Sequence, residues 1–233
     1  MTGVTIVTPS YKHLYAESAK RFRKNTGLPV HAIRVADSRG FAAKLELDRL
    51  APRGPIVFFD VDAWVIQPTD FAKLTGGWFA VNDPAVYLRG AFPKDDCETY
   101  GIPKGFYFNS GIMVIDTSDK KHRAVFKKAR MLKASGRYSP VDWTDQFWLN
   151  LAAYQLQTPI MHLPFAFNTY PMAVKHGGLP FFPRRVQVVH AAGFQLPQKA
   201  EALRSMEVVF GGRVLAMENE ALQNFNIRFF DKS

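Results

Sequence analysis

The 233-residue sequence predicts a doubly wound α/β domain, and three observations carry that prediction. The chain opens as strand, helix, strand, helix, strand, the alternation that builds a mostly parallel sheet with helices on both faces. The run Pro55-Ile56-Val57-Phe58-Phe59 is continuously apolar, as expected of a central strand buried on both sides. Hydrophobic residues make up 47% of the chain, enough for a large core in one domain, and no internal repeat or low-complexity segment is present.

The elements follow in order. Val4 to Thr8 reads as a first strand meeting a Pro9-Ser10 turn, with a helix from about Tyr11 to Asn25 closed by Gly27-Leu28-Pro29. Val30 to Val35 is a second strand ending near Asp37. Phe41 to Leu50 returns to helical spacing and leads into the Pro55 strand. Ala63 to Pro68 reads as a short outgoing strand and Gly77 to Asn82 as another, so the sheet is mixed. Residues 83–105, rich in Pro, Gly and charge, read as a loop over the site. Phe106 to Asp116 is a second apolar run, interrupted by Asn109-Ser110-Gly111, a small polar triplet that suggests close backbone approach. Ser139-Pro140 is a helix-start signal, with a helix running to about Tyr154. Trp143, Phe147, Trp148 and Leu151 supply its buried side, and Asp142 and Asp145 share a face with Gln146 beside them. Val186 to His190 reads as a further strand of the parallel sheet, ending in an imidazole at the same kind of edge position as Asp60 and Asp62.

Composition bounds the function. The single cysteine, Cys97, excludes an internal disulfide, and no Cys/His cluster has zinc-site spacing, so a reducing, cytoplasmic setting is expected. No signal peptide and no apolar span of membrane length is evident. The net charge of +10 is concentrated at 120–137, where Lys120, Lys121, Arg123, Lys127, Lys128, Arg130, Lys133 and Arg137 occur with no acid. With Ala124, Val125, Phe126, Ala129, Met131 and Leu132 between them, they read as an amphipathic helix with a basic outer face, either simply solvated or resting on an anionic membrane surface. No nucleic-acid-binding motif accompanies the basic charge.

Chemistry concentrates after the central strand. Asp60 and Asp62, one residue apart, project to the same side where the strand leaves the core, at the edge where open α/β sheets bind ligands. Two such carboxylates repel unless a cation lies between them, and hard oxygen donors suit Mg²⁺, Mn²⁺ or Ca²⁺. The plainer alternative is that the pair ends a strand and caps the next turn, and that His190 is structural.

Taken together, the stretches Ala43-Lys44-Leu45, Asp60-Val61-Asp62, Phe79-Ala80-Val81-Asn82-Asp83, Phe108-Asn109-Ser110-Gly111, Asp142-Trp143-Thr144-Asp145-Gln146, Leu163 to Asn168 and Val189-His190-Ala191-Ala192-Gly193 resemble, in order and spacing, glycosyltransferases of the GT-A fold. The resemblance is strongest to the retaining, UDP-sugar-using family that includes glycogenin and bacterial lipopolysaccharide galactosyltransferases, and it covers the chain to about residue 195. It implies one GT-A (Rossmann-like) domain over 1–233, with a nucleotide-sugar-binding half at about 1–118 and an acceptor-side half at about 119–233. It places a divalent ion, Mn²⁺ or else Mg²⁺, on Asp60, Asp62 and His190. It places the nucleoside of a UDP-sugar on Thr8 and Tyr11 or Tyr15, donor oxygens on Lys44 (and, through the metal, Asp60), the transferred sugar on Asp83, Asn109 and Ser110, and the anomeric carbon and acceptor beside Asp142, Asp145 and Gln146. The implied acceptor is a glycan, glycolipid or protein. One departure stands out: the family's Lys-Pro-Trp clamp after His-x-x-Gly is replaced by Phe194-Gln195-Leu196-Pro197-Gln198-Lys199, which leaves two alternatives, a substitution by Lys199 from a shifted loop or a pocket weaker for donor than that of the family. Competing readings are a phosphohydrolase of the haloacid dehalogenase type, which also uses Asp-x-Asp after an apolar strand, and a nucleotide-sugar-binding module without turnover.

Overall fold

The computed structural model describes residues 1–87, 92–141, 144–170 and 185–211. Along the chain lie β1 (Thr2–Val7), α1 (Lys12–Thr26), β2 (Val30–Arg34), the short helices α2 (Gly40–Lys44) and α3 (Leu47–Leu50), β3 (Pro55–Phe59), β4 (Ala63–Val65), β5 (Trp78–Asn82), α4 (Phe92–Tyr100), β6 (Phe108–Asp116), α5 (Lys120–Ala134), α6 (Asp145–Gln155), β7 (Ile160–Leu163), β8 (Val188–His190) and α7 (Leu196–Gly211). Six strands form the main sheet in the order β2-β1-β3-β6-β5-β7. β6 runs antiparallel to both its neighbours, and every other adjacent pair is parallel.

β3 is the double-sided strand its composition predicts. Ile56 and Phe58 face a core shared with Val125 and Phe126 of α5 and with Phe147 and Leu151 of α6. Val57 and Phe59 face the opposite core, where Phe22 of α1 stacks on Phe59 with ring centroids 4.3 Å apart. Burying four large side chains at about 1.5–3 kcal/mol each makes β3 the natural anchor of whatever follows it. α1 stops at Gly27, whose φ of 71° gives the left-handed cap that a side chain would resist. At the start of α5 the Asp119 carboxylate accepts from the backbone N–H groups of Lys121 and His122. That helix buries His122, Val125, Phe126, Ala129 and Leu132 and leaves Lys121, Lys127 and Lys133 exposed, while Met131 turns outward at 59% exposure.

Four expectations are corrected. Phe41 to Leu50 is two short helices with a break at Leu45-Glu46. The 83–105 stretch carries a 3-10 turn at Pro84–Tyr87 and the helix α4. The Ser139-Pro140 signal starts no helix: the Ser139 N–H donates to the Tyr100 hydroxyl, Val141 N–H donates to Asp96, and α6 begins at Asp145 behind Thr144. β8 lies outside the main sheet and pairs antiparallel with β4 in a second, two-stranded sheet.

The β5–β6 ladder slips between Ala80, opposite Met113, and Val81, opposite Asn109, so β6 bulges at residues 110–112. Buried Asn150 of α6 holds the strand where the slip occurs, accepting from Phe108 N–H and donating to Phe108 C=O, each at 2.8 Å. Replacing Asn150 by Leu strands two buried backbone groups at about 1–3 kcal/mol each. We expect a loss of about 2–6 kcal/mol in urea unfolding at an unchanged m-value; a loss below about 1 kcal/mol would show that the strand is held elsewhere.

Candidate active site

A cleft of about 550 Å³ opens at the edge where β1 and β3 end and where β6, running the other way, begins. Its wall includes Thr8, Tyr11, Lys44, Asp60, Asp62, Asn109, Ser110, Asp145, Gln146, His190 and Lys199. Sequence positions more than 180 residues apart thus meet at one place. Of the two candidate tyrosines, Tyr11 faces the cleft, whereas Tyr15 lies beneath the Arg34 guanidinium, 5.5 Å from its ring centroid. Asp142 and Trp143 lie outside the described residues.

Asp60 follows β3 directly and is fixed by its N–H to Gly111 C=O at 2.8 Å. Asp62 ends the turn into β4, and β4 pairs with β8 so that Ala63 lies opposite His190. The imidazole therefore reaches the carboxylates from the two-stranded sheet rather than from a neighbouring parallel strand. Its Nε2 stands 3.6 Å from Asp62 and 3.8 Å from Asp60. Among the described residues, these three are the group whose ligand atoms lie together, all within 4.8 Å of one another. Donors bound at roughly 2.0–2.6 Å to one ion must stand roughly 3–5 Å apart, so the spacing fits a divalent ion.

Two details of the chain favour that role. His190 Nδ1 is 2.9 Å from the Asn168 side-chain oxygen, which fixes Nδ1 as the donor and leaves the Nε2 lone pair aimed at the carboxylates. Asn168 in turn donates to Asn109 at 2.6 Å, and Asn109 accepts from Gly111 N–H at 2.9 Å. The imidazole also packs over Gly111, where a Cβ would meet its Cε1 at 2.3 Å and Nδ1 at 2.7 Å. The polar triplet is thus a seat for His190.

On the opposite side, Lys44 bridges Asp60 at 2.9 Å and Asp145 at 3.1 Å and donates to Ser110 at 3.3 Å. Asp145, at the start of α6, also accepts from the Ser110 hydroxyl at 2.7 Å. Gln146 is fully engaged, accepting from Ser110 N–H at 3.0 Å and donating to Asp83 at 2.8 Å. Asp83 lies behind the cleft wall, where it also accepts from Asn109 and from the Tyr170 hydroxyl. Its position makes it a brace for Gln146 and Asn109. Nothing in the sequence around Asn168 or Tyr170 marks them as functional, and only three-dimensional adjacency reveals what they hold.

Burial pushes the Asp60 carboxyl up against the opposing effect of Lys44, with Asp62 adding to the rise. Burial would raise Asp62 too, but the Lys199 ammonium outweighs it and holds that carboxyl well below the usual range. Lys44 is likewise desolvated, yet Asp145 and Asp60 hold its ammonium above the ordinary lysine value.

No protein-family model and no curated protein sequence matches the chain. Solved structures do, and they define the architecture as the GT-A fold of glycosyltransferases. The chain aligns over 94% of its length with all of a galactosyltransferase, LgtC, solved with donor and acceptor sugar analogues, at 17% identity and a TM-score of 0.58. An active-site mutant of LgtC aligns over 99% of this chain and 96% of its own, at 16% identity and a TM-score of 0.61. The apo bifunctional glycosyltransferase WbbM aligns over 96% of this chain at 13% identity and a TM-score of 0.61, and the chain spans about half, 51%, of WbbM. The chain therefore resembles, in fold, the lipopolysaccharide galactosyltransferase family. No helix among the described residues is long and apolar enough to cross a membrane.

Two outcomes test the site. Gly111→Ala forces the imidazole off its seat and should weaken Mn²⁺ binding about 10- to 100-fold by calorimetry with near-native circular dichroism; unchanged affinity would remove His190 from the ligand set. Because Asp62 is depressed in the folded state, its stabilisation is complete above the unfolded carboxylate value and is lost as pH falls below about 4. The melting-temperature gap between metal-free wild type and Asp62→Asn should be level from pH 8 to 5 and narrow below about 4; a gap that widens in acid would contradict the pairing.

Proposed function

We propose that the protein is a metal-dependent glycosyltransferase that moves a hexose from a UDP-sugar to a hydroxyl of a glycan, glycolipid or protein, with retention of configuration. The observation that carries this reading is the convergence of Asp60, Asp62 and a tautomer-fixed His190 on one side of the cleft, with Asp145 facing them across Lys44. Asp60, Asp62 and His190 would hold the divalent ion, and the nitrogen donor favours Mn²⁺ over Mg²⁺. Bound there, the ion supplies Lewis-acid stabilisation for the charge left on the departing diphosphate.

The chain's own residues do the rest. Thr8 and Tyr11 wall the nucleoside end and Lys44 stands beside the donor oxygens. The carboxylate of Asp145 is aimed by Lys44 and Ser110 toward the space where positive charge develops on the anomeric carbon. Gln146, held by Ser110 and Asp83, keeps the start of α6 in register with β6, and Asn109 and Ser110 form the floor under the sugar. In this arrangement the half up to about residue 118 supplies most of the donor contacts, and the remainder adds Asp145 and His190 and presents the acceptor.

A panel of UDP-sugars assayed for UDP release should give Mn²⁺-dependent turnover that Asp62→Ala abolishes. Asp145→Asn should lower kcat and kcat/KM together by at least about 100-fold while UDP affinity changes less than about threefold, the pattern of a contact made in the transition state. Inorganic phosphate from a generic phosphoester, with no UDP from any donor, would establish the phosphohydrolase instead, and nucleotide binding without either product would establish a binding module.

A further inference from the structure

Lys199 occupies a place that the reaction alone does not explain. It projects from α7, a helix that starts six residues after His190, and the residue is 6% exposed. The ammonium donates to Asp62 at 2.5 Å and to the Ala191 carbonyl at 2.8 Å, and Ala191 N–H donates back to the Asp62 carbonyl at 3.0 Å. The same ammonium lies 5.9 Å from the Tyr11 ring, on the wall of the cleft. Each carboxylate of the Asp60–Asp62 pair therefore carries its own lysine, Lys44 on one and Lys199 on the other.

The two lysines differ in what they can do. Lys44 is shared between Asp60 and Asp145 and keeps a carboxylate partner whichever one is engaged. Among the described residues Lys199 has one carboxylate, Asp62, which it meets at Oδ2 while His190 faces Oδ1, and that carboxylate is a proposed ligand of the divalent ion. An ion on Oδ1 draws on the same negative charge and sets a divalent cation beside the buried ammonium, a costly state unless another anion arrives. The anion at hand is the diphosphate that enters with the ion.

Resting on the proposed nucleotide-sugar reaction, we propose that Lys199 is an internal cation that guards Asp62 and is released to the diphosphate, so that metal and nucleotide bind as a coupled pair. Free metal must share Asp62 with an ammonium that already neutralises it. Free nucleotide meets a lysine already occupied. When both enter, the ion takes Asp62 and Lys199 takes a phosphate oxygen, and neither charge is left unpaired. By linkage, the factor by which UDP tightens Mn²⁺ equals the factor by which Mn²⁺ tightens UDP, and Lys199 contributes to both.

The test is Mn²⁺ binding followed by the electron paramagnetic resonance of the free ion, with and without UDP, in wild type, Lys199→Met and Lys199→Arg at pH 8. Lys199→Met should bind Mn²⁺ alone about tenfold more tightly than wild type, within the 5- to 150-fold range of such couplings, and UDP should tighten it by a correspondingly smaller factor. Lys199→Arg, which keeps the charge, should stay near wild type. Weaker or unchanged Mn²⁺ binding by Lys199→Met, with native circular dichroism and an unchanged UDP effect, overturns the guard. If Lys199→Met does not fold, Lys199→Gln serves the same comparison. A wild type that binds neither Mn²⁺ nor UDP overturns the proposed reaction as well, which separates that failure from a fault in the role of Lys199 alone.

Discussion

Like-charge repulsion at the cleft floor is the constraint on which the rest of the structure depends. Asp60, Asp62 and Asp145 bring three carboxylates into one partly desolvated space. Two unit charges 4 Å apart repel by about 4 kcal/mol at an effective dielectric constant of about 20, a large share of a typical folding free energy of about 5–15 kcal/mol. The molecule meets this by inserting two ammonium groups, each drawn from a different helix. α2 exists as a five-residue helix whose end delivers Lys44, and α7 packs Ala202, Leu203 and Met206 against Trp64 and Val189, which positions Lys199. The breaks that disturb simple periodicity are therefore placed where charge must be delivered.

The opposing surfaces are built to stay put. The Asn168-Asn109-Gly111 relay, the Gln146-Asp83-Tyr170 brace and the Asn150 grip on Phe108 are all buried, and together they tie β6 to α6, to Asp83 at the end of β5 and to Asn168. Buried polar networks of this kind are stable only when each member is satisfied, and then they specify one arrangement. Rigidity of this sort suits a reaction in which oriented dipoles and charges must already be in place when charge develops.

Much of this was legible in the residues. The apolar run at Pro55 announced a central strand because burial on both faces leaves no room for polar alternation, and Asp60, Asp62 and His190 did come together. The helix start at Ser139 misled because its capping signals are local, whereas Tyr100 and Asp96, distant in sequence, satisfy those backbone groups in another way. α4 was hidden because Phe92–Tyr100 opens on Phe92-Pro93, carries a cluster of charges at its centre and shows little apolar period. His190 was assigned to the right place by the wrong route: three residues of β8 hold too little pattern to tell which sheet they join. Lys199 could be named as a substitute, but its partner, 137 positions earlier in the chain, had no signature.

The reversed direction of β6 has a topological consequence. In a wholly parallel sheet, each connection must travel from the ligand edge back to the far edge, and changing its length disturbs the packing layers in between. Because β5 ends and β6 begins at the same edge, the connection between them leaves from and returns to the cleft side of the sheet. Its helix α4 buries Cys97 in the core, but residues can be added to its exposed turns without moving either strand, since loop-closure entropy rises only slowly with length. The reversed strand of the main sheet thus lets length vary at the cleft side of the scaffold while the cleft floor is left intact.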